Sequence, residues 1–112
     1  MEVSAIAKDT GISARKIRPL VDMVRGKKVD EALTILRFTP TPNALVVAKA
    51  VKSAAANAEN NFQMSPSDLK IVTIFADDAP TLKRHRPRAR ARVSPILKRS
   101  SHITVIVAEQ ED

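Results

Sequence analysis

The sequence has no cysteine, tryptophan or tyrosine, and only two glycines and three phenylalanines among its 112 residues. Without cysteine there are no disulfides, thiolate metal sites or cysteine nucleophiles, a composition that fits a reducing compartment. Phe38 and Phe75 fall on apolar patterns, so we expect no aromatic platform on which unpaired bases could stack. Gly11 and Gly26 are too few for a glycine-rich phosphate loop.

Long apolar runs are also missing. No stretch approaches the roughly 20 apolar residues that cross a bilayer, and Glu2, Lys8 and Asp9 near the start are unlike a secretory signal. The hydrophobic fraction of 44% is that of a globular chain, and the length suits one modest core. We therefore expect a single cytoplasmic domain over 1–112, with no membrane partner.

The sequence offers few residues that could catalyse a reaction. His85 and His102 could act together as acid and base on RNA, but His85 lies within a run of arginines and His102 opens a strand pattern. Asp77 and Asp78 are adjacent, so on a strand they face opposite sides and do not form a carboxylate pair. No cluster has the spacing of metal ligands. We expect no enzyme, cofactor, metal or small-molecule substrate.

Apolar periodicity predicts an α+β fold: a strand, three helices, then an antiparallel strand pair, with the helices packed on one face of a small sheet. The predicted strands are 2–8, 69–76 and 102–108, and the predicted helices are 14–24, 30–38 and 42–61.

Local signals refine the helix boundaries. Ser13 and Asp30 are expected to cap the first two helices with their side chains, and Gly26 to end the first. Pro19 is expected to kink the first helix, because it removes a backbone hydrogen bond. Phe38 is placed on the apolar face of the second helix.

The excess positive charge is confined to the basic run, residues 83–99. It holds eight bases and no acid, whereas the rest of the chain carries eleven bases and twelve acids. Because the run joins the last two predicted strands, we expect an extended β-hairpin arm at 79–99, outside a globular part made of 1–78 plus 100–112. Its bases are Lys83, Arg84, Arg86, Arg88, Arg90, Arg92, Lys98 and Arg99.

The arginines from 84 to 92 occupy every second position. Alternate side chains of an extended chain point the same way, and guanidinium pairs bidentately with phosphate. A nuclear-import signal or a patch for acidic proteins stays an alternative. We favour a nucleic acid bound through phosphate and shape.

A second basic cluster spans the first helix and the turn after it. Its alternatives are an ordinary solvated helix face and a helix-turn-helix DNA-binding unit, although the second helix offers a poor recognition surface. With the arm present, we favour a second RNA contact. The cluster consists of Arg15, Lys16, Arg18, Arg25, Lys27 and Lys28.

The stretch 83–107, KRHRPRARARVSPILKRSSHITVIV, carries a more specific signal. A base is followed after four residues by Arg88, then Arg92, and nine residues later by His102 and alternating apolar residues. With SARKIRPLVDMVRGKKVDEALTIL and SAAANAENN before it, this stretch resembles the bacterial large-subunit ribosomal protein twenty-two family.

The resemblance implies a long β-hairpin arm, binding to large-subunit ribosomal RNA during subunit assembly, and a place in the cytoplasmic ribosome. It further implies that the arm lines the nascent-polypeptide exit tunnel, with the nascent polypeptide and neighbouring ribosomal proteins as partners. The arm tip would comprise Arg88, Ala89, Arg90, Ala91 and Arg92.

We predict that the arm carries binding rather than folding. Replacing 83–98 with a short Asn-Gly turn should leave a folded domain, because this segment holds few large apolar groups and a shorter loop costs less closure entropy. If the arm neutralises roughly six phosphates, the slope of log affinity against log salt should shrink by about 4 to 5. Circular dichroism and RNA affinity at several salt concentrations test this; an unchanged slope contradicts it.

Overall fold

The computed structural model describes residues 2–8, 10–65, 68–87 and 93–109, with the backbone alone for 82–87 and 93–97. The predicted α+β order is confirmed, and no helix in these ranges is long and apolar enough to span a membrane. The elements are β1 (Glu2–Ala7), α1 (Ala14–Val24), α2 (Val29–Arg37), α3 (Asn43–Phe62), β2 (Leu69–Asp78), β3 (Leu82–Pro87), β4 (Val93–Lys98) and β5 (Ser101–Glu109).

β5 is the central strand of a three-stranded antiparallel sheet ordered β1–β5–β2. Every second residue of β5 from Ser101 to Val107 is buried, and the residues between them are half-buried. The register sets Val3 of β1 beside Val107, so the buried side chains of neighbouring strands lie together. One face of the sheet is therefore the core, and the helices cover it.

β2 keeps its buried side chains on that face through a bulge. Its register shifts between Ile71 and Thr73, which leaves Val72 as an extra residue. Because side chains alternate along a strand, one extra residue exchanges the two faces beyond it. Ile71 and Ile74 are consequently both buried although three positions apart, whereas Phe75 is 37% exposed on the open face.

The long helix α3 packs across β1 and β5, α1 packs on β2, and α2 packs on α3 and α1. Small side chains dominate the buried face of α3, which lets the helix axis approach the sheet closely. The buried residues of α3 are Ala44, Val47, Ala50, Val51, Ala54 and Ala58.

The helices begin differently from the predicted capping. Ser13 is the N-cap of α1, but its side chain makes no capping hydrogen bond, so the predicted hydroxyl cap is wrong. Lys28 is the N-cap of α2, and Asp30 lies within the first turn, where its charge favours the helix dipole. Gly26 adopts a φ of +78° just after α1, which confirms the predicted glycine stop.

Pro19 and Phe38 both lie on the exposed side of the helices. α1 runs as one helix through Pro19, whose ring lies on the exposed side. The placement of Phe38 on the apolar face of α2 is wrong, since its side chain is 76% exposed. α2 ends at Arg37, and Phe38 has φ −93° and ψ 0°, which takes it off the buried face.

A two-stranded ribbon extends from one end of the sheet. β3 pairs with β4 from Leu82, opposite Lys98, to Pro87, opposite Val93, and the Ala79 amide joins ribbon to sheet by donating to the Ser100 carbonyl at 3.1 Å. The chain has a radius of gyration of 17.2 Å, compared with about 13 Å for a compact chain of roughly this length. The predicted tip, 88–92, lies outside the described residues.

A partly buried hydrogen-bond network ties the base of the arm to the loop before α1. The hydroxyls of Thr10 and Ser101 are 2.8 Å apart, and that of Ser101 donates to the Ile12 carbonyl at 2.7 Å. Beside them, the Gly11 amide donates to the Ser100 hydroxyl at 2.9 Å. This Thr10–Ser101 network fixes the start of α1 against the arm.

Gln63 ends α3 in a left-handed conformation, with a φ of 54° and a ψ of 33°. The Gln63 amide donates to the Glu59 carbonyl, and the amide of the buried Met64 donates to the Ala58 carbonyl. Residues other than glycine are strained in this left-handed conformation by about 1–2 kcal/mol, because their Cβ atom crowds the backbone.

We therefore predict that Gln63→Gly raises the free energy of unfolding by about 0.5–1 kcal/mol, because relief of this strain outweighs the greater freedom of the unfolded chain. Chemical denaturation measures the change, and Gln63→Ala, which keeps the strain, is the control. A lower stability of the glycine variant would contradict the prediction.

Candidate nucleic-acid interface

A surface cleft of about 740 Å³ lies where the start of α1 meets the base of the arm. We call it the basal cleft. One wall is formed by Arg15, Lys16 and Arg18 of α1, and the other includes Arg99, between β4 and β5. Folding thus joins members of the two predicted basic clusters in one site.

The amphipathic pattern of α1 orients its three bases. Ala14, Ile17 and Leu20 are buried at helical spacing, so with 3.6 residues per turn the positions of the three bases between them point outward. Arg15 and Arg18 are therefore exposed on the side of α1 that borders the arm.

The basic side chains of the basal cleft are not neutralised within the fold. Among the residues whose side chains are described, the one ion pair joins Arg25 to Asp22, outside the cleft. Among the described residues that line the cleft, the single acid is Asp78, and it forms no ion pair with these bases. Four positive charges of this described lining thus face one negative charge, an arrangement that attracts an anion.

The other half of the second basic cluster, Arg25, Lys27 and Lys28, takes part in folding contacts. The Arg25 guanidinium bonds to Asp22 at 2.6 Å and donates to the Ile74 carbonyl of β2 at 3.0 Å. The Lys27 carbonyl accepts the Ile71 amide, and Lys28 forms an isolated bridge with β2. These three residues lie at the far end of α1, about 16 Å along the helix axis from its start, although their side chains are exposed.

The bases of the arm are only partly described. Lys83, Arg84 and Arg86 belong to β3, while Arg88, Arg90 and Arg92 lie outside the described residues, as does the tip with Ala89 and Ala91. Lys98 ends β4 with an exposed side chain. RNA binding by each of these residues stays a prediction.

The three phenylalanines are more exposed than the sequence suggested, yet they form no common surface. Phe38 follows α2, Phe62 ends α3 and Phe75 lies on the open face of the sheet, and none lines the basal cleft. Phe38 contacts the Arg37 guanidinium, 5.9 Å from its ring centre. Within the described residues, no group of three potential metal ligands occurs.

Sequence reasoning missed Thr10, Asp78 and Ser101 as parts of this site. Thr10 and Ser101 meet across 91 positions of sequence, and no local motif signals such a contact. Asp78 looked like one of two unremarkable carboxylates after a strand, and only the fold places it in the cleft.

The fold and this surface define a basic α+β protein with a two-stranded arm. The model of the family described as ribosomal protein L22p/L17e matches residues 5–108. The large ribosomal subunit protein uL22 of Dehalococcoides mccartyi is 72% identical over 109 residues, which is 97% of this chain and 100% of the relative. Proteins of the same name from Pediococcus pentosaceus and Pelotomaculum thermopropionicum are 56% and 52% identical, covering 96% and 100% of this chain and 92% and 99% of the relatives.

The chain therefore belongs to the ribosomal protein L22p/L17e family. This confirms the resemblance recognised in 83–107. It also confirms the prediction of a ribosomal protein that is not an enzyme.

We predict that Arg25 contributes more to stability than the bases of the basal cleft. Because its guanidinium joins α1 to β2, Arg25→Ala should lower the free energy of unfolding by about 1 kcal/mol, allowing for its partial exposure. Arg15→Ala, which removes an equally basic side chain from the same helix, should change stability by no more than about 0.5 kcal/mol. Equal losses in thermal unfolding would contradict this difference.

Proposed function

We propose that the protein is a structural constituent of the large ribosomal subunit that binds large-subunit ribosomal RNA and aids subunit assembly. The observation that carries the proposal is the convergence, beside a basic arm, of four bases that form no ion pair with any described acid. The names of the relatives, all large-subunit proteins matched over nearly their whole length, support it.

The two parts of the molecule would have different roles. The globular part, 1–78 plus 100–112, anchors the protein on folded RNA through the bases of α1. The arm, 79–99, reaches through RNA, and its tip from Arg88 to Arg92 lines the exit tunnel, where the nascent polypeptide passes. Neighbouring ribosomal proteins are further partners, and the protein acts in the cytoplasm as part of the ribosome.

Binding of this kind depends on phosphate rather than on base identity. Guanidinium and ammonium groups displace the counterions of the RNA backbone, which makes affinity fall steeply with salt. Contacts to phosphate set position and orientation, whereas sequence is read from base edges. The exposed bases of α1 lie on a helix that the core holds in place, so little backbone conformational entropy is lost when they bind.

A helix-turn-helix DNA-binding protein is the competing function, since α1 and α2 are joined by a short turn. The polar residues of α2 count against it: Asp30 and Glu31 occupy its first turn, and the N-terminal residues of a recognition helix are those that face the anionic groove.

A competition binding assay separates these functions. We expect large-subunit ribosomal RNA to displace a labelled ribosomal RNA probe well before single-stranded homopolymer RNA or duplex DNA does, because a folded RNA presents phosphates on several sides of the protein. Equal or better competition by DNA would favour the helix-turn-helix alternative. RNA cleavage abolished by replacing His85 or His102 would instead indicate an enzyme.

A further inference from the structure

The two walls of the basal cleft come from opposite ends of the chain, with Arg15 on α1 and Arg99 beside β5. We propose that the cleft binds one continuous stretch of RNA sugar–phosphate backbone between these walls, so that both arginines act on the same segment of RNA. The inference rests on the proposed function and names the ligand of this particular site.

Charge is the first argument. Folding brings four bases around one cleft with Asp78 as the only acid among the described lining residues, and like charges that converge without partners repel one another. A polyanion that enters the cleft relieves this repulsion and gains several charge-assisted hydrogen bonds at once. The bases are free to make them, because no ion pair with a described acid holds them back.

The side chains that line the cleft favour the sugar–phosphate backbone of RNA over its nucleobases. The cleft, at about 740 Å³, has the size of pockets that hold small organic ligands, roughly 300–1,000 Å³, so it can hold more than a single phosphate. Its described lining contains no aromatic ring on which a base could stack and no carboxamide that could pair with adenine, whereas it contains four basic side chains that can pair with phosphate. A repeating chain of phosphates and sugars fits this surface better than a free nucleotide does.

The Thr10–Ser101 network sets the spacing of the walls. Thr10 lies in the loop that leads into α1, and Ser101 follows Arg99 by two residues. Four hydrogen bonds between these segments, including the one from the Thr10 amide to the Ser101 carbonyl at 3.0 Å, hold the two walls together. Thr10 and Ser101 are therefore positioning residues that do not themselves contact RNA.

A double-mutant cycle tests whether the walls share one ligand. With in vitro transcribed large-subunit ribosomal RNA, Arg15→Ala and Arg99→Ala should each weaken binding about five- to eightfold at 0.1 M salt. This is the value of one phosphate contact, for which affinity falls with salt concentration to the power of about −0.7 to −0.9. Because loss of one arginine loosens the segment that the other holds, the double variant should lose less than the product of the two.

The matched control pairs Arg15→Ala with Arg37→Ala, which removes an exposed arginine of α2 outside the cleft. The effects of these two substitutions on RNA affinity should multiply. If the Arg15 and Arg99 effects also multiply, or if either is absent, the shared-backbone proposal is wrong.

The role of the Thr10–Ser101 network can be tested through the coupling of the two arginines. Thr10→Val removes the hydroxyl and should make the Arg15 and Arg99 effects multiply, whereas Thr10→Ser keeps the hydroxyl and should preserve their coupling. Coupling that survives Thr10→Val would show that the network does not set the spacing of the walls.

Neutralising the acid of the cleft provides a test that damage to the fold cannot imitate. Asp78→Asn should tighten RNA binding by about two- to fivefold, since it removes one repulsive charge near the phosphates. Asp77→Asn makes the same change one residue away on the opposite face of β2, which borders the open side of the sheet, and should have a smaller effect. Equal effects, or weaker binding by Asp78→Asn, would overturn the proposal.

The source of the phosphate is tested by competition with pyrophosphate. If the cleft takes a polymer backbone, millimolar pyrophosphate at constant ionic strength should leave RNA binding nearly unchanged, whereas strong displacement would indicate a small-anion site instead. If the unmodified protein showed no preference for ribosomal RNA, the proposed function itself would be overturned. Retained preference without Arg15–Arg99 coupling would overturn only this inference.

Discussion

The buried hydroxyl of Ser101 is the constraint on which the arrangement of the molecule depends. Ser101 is the one fully buried polar residue in the part of the chain that the structure describes, and a buried polar group without partners costs about 1–3 kcal/mol. Its bonds to Thr10 and to the Ile12 carbonyl can form only when the loop before α1, the central strand β5 and the base of the arm meet at one point. The position of the basal cleft follows from that meeting.

Little of the positive charge is paired with acids in the part of the chain that the structure describes. Apolar side chains form the described core, and the described ion pairs amount to one, between Arg25 and Asp22. A protein that neutralised its own bases would gain little stability, because exposed ion pairs contribute at most about 1 kcal/mol each, and it would have less charge to offer a polyanion. The bases of the basal cleft form no such pair with an acid that the structure describes.

Local patterns predicted most of the fold but little of the site. The helix at 14–24 was correct because Ile17, Leu20, Val21 and Val24 repeat at helical spacing, and Gly26 ended it as expected. Phe38 was misplaced because an apolar residue at the end of a helix continues the pattern whether or not the helix continues. The basic cluster of α1 could be recognised, but its division could not, since the bond from Arg25 to the Ile74 carbonyl of β2 depends on how α1 packs on the sheet.

The sequence by itself determined the kinds of element, the α+β class, the basic run and the family resemblance, because periodicity, charge order and a signature motif are properties of neighbouring residues. The tertiary structure alone decided which side chains of β2 are buried beyond the bulge at Val72, which bases stabilise the fold, and which meet across the basal cleft. Those outcomes depend on pairing between segments as distant as Thr10 and Ser101, where contact energy is gained only after the intervening chain has folded.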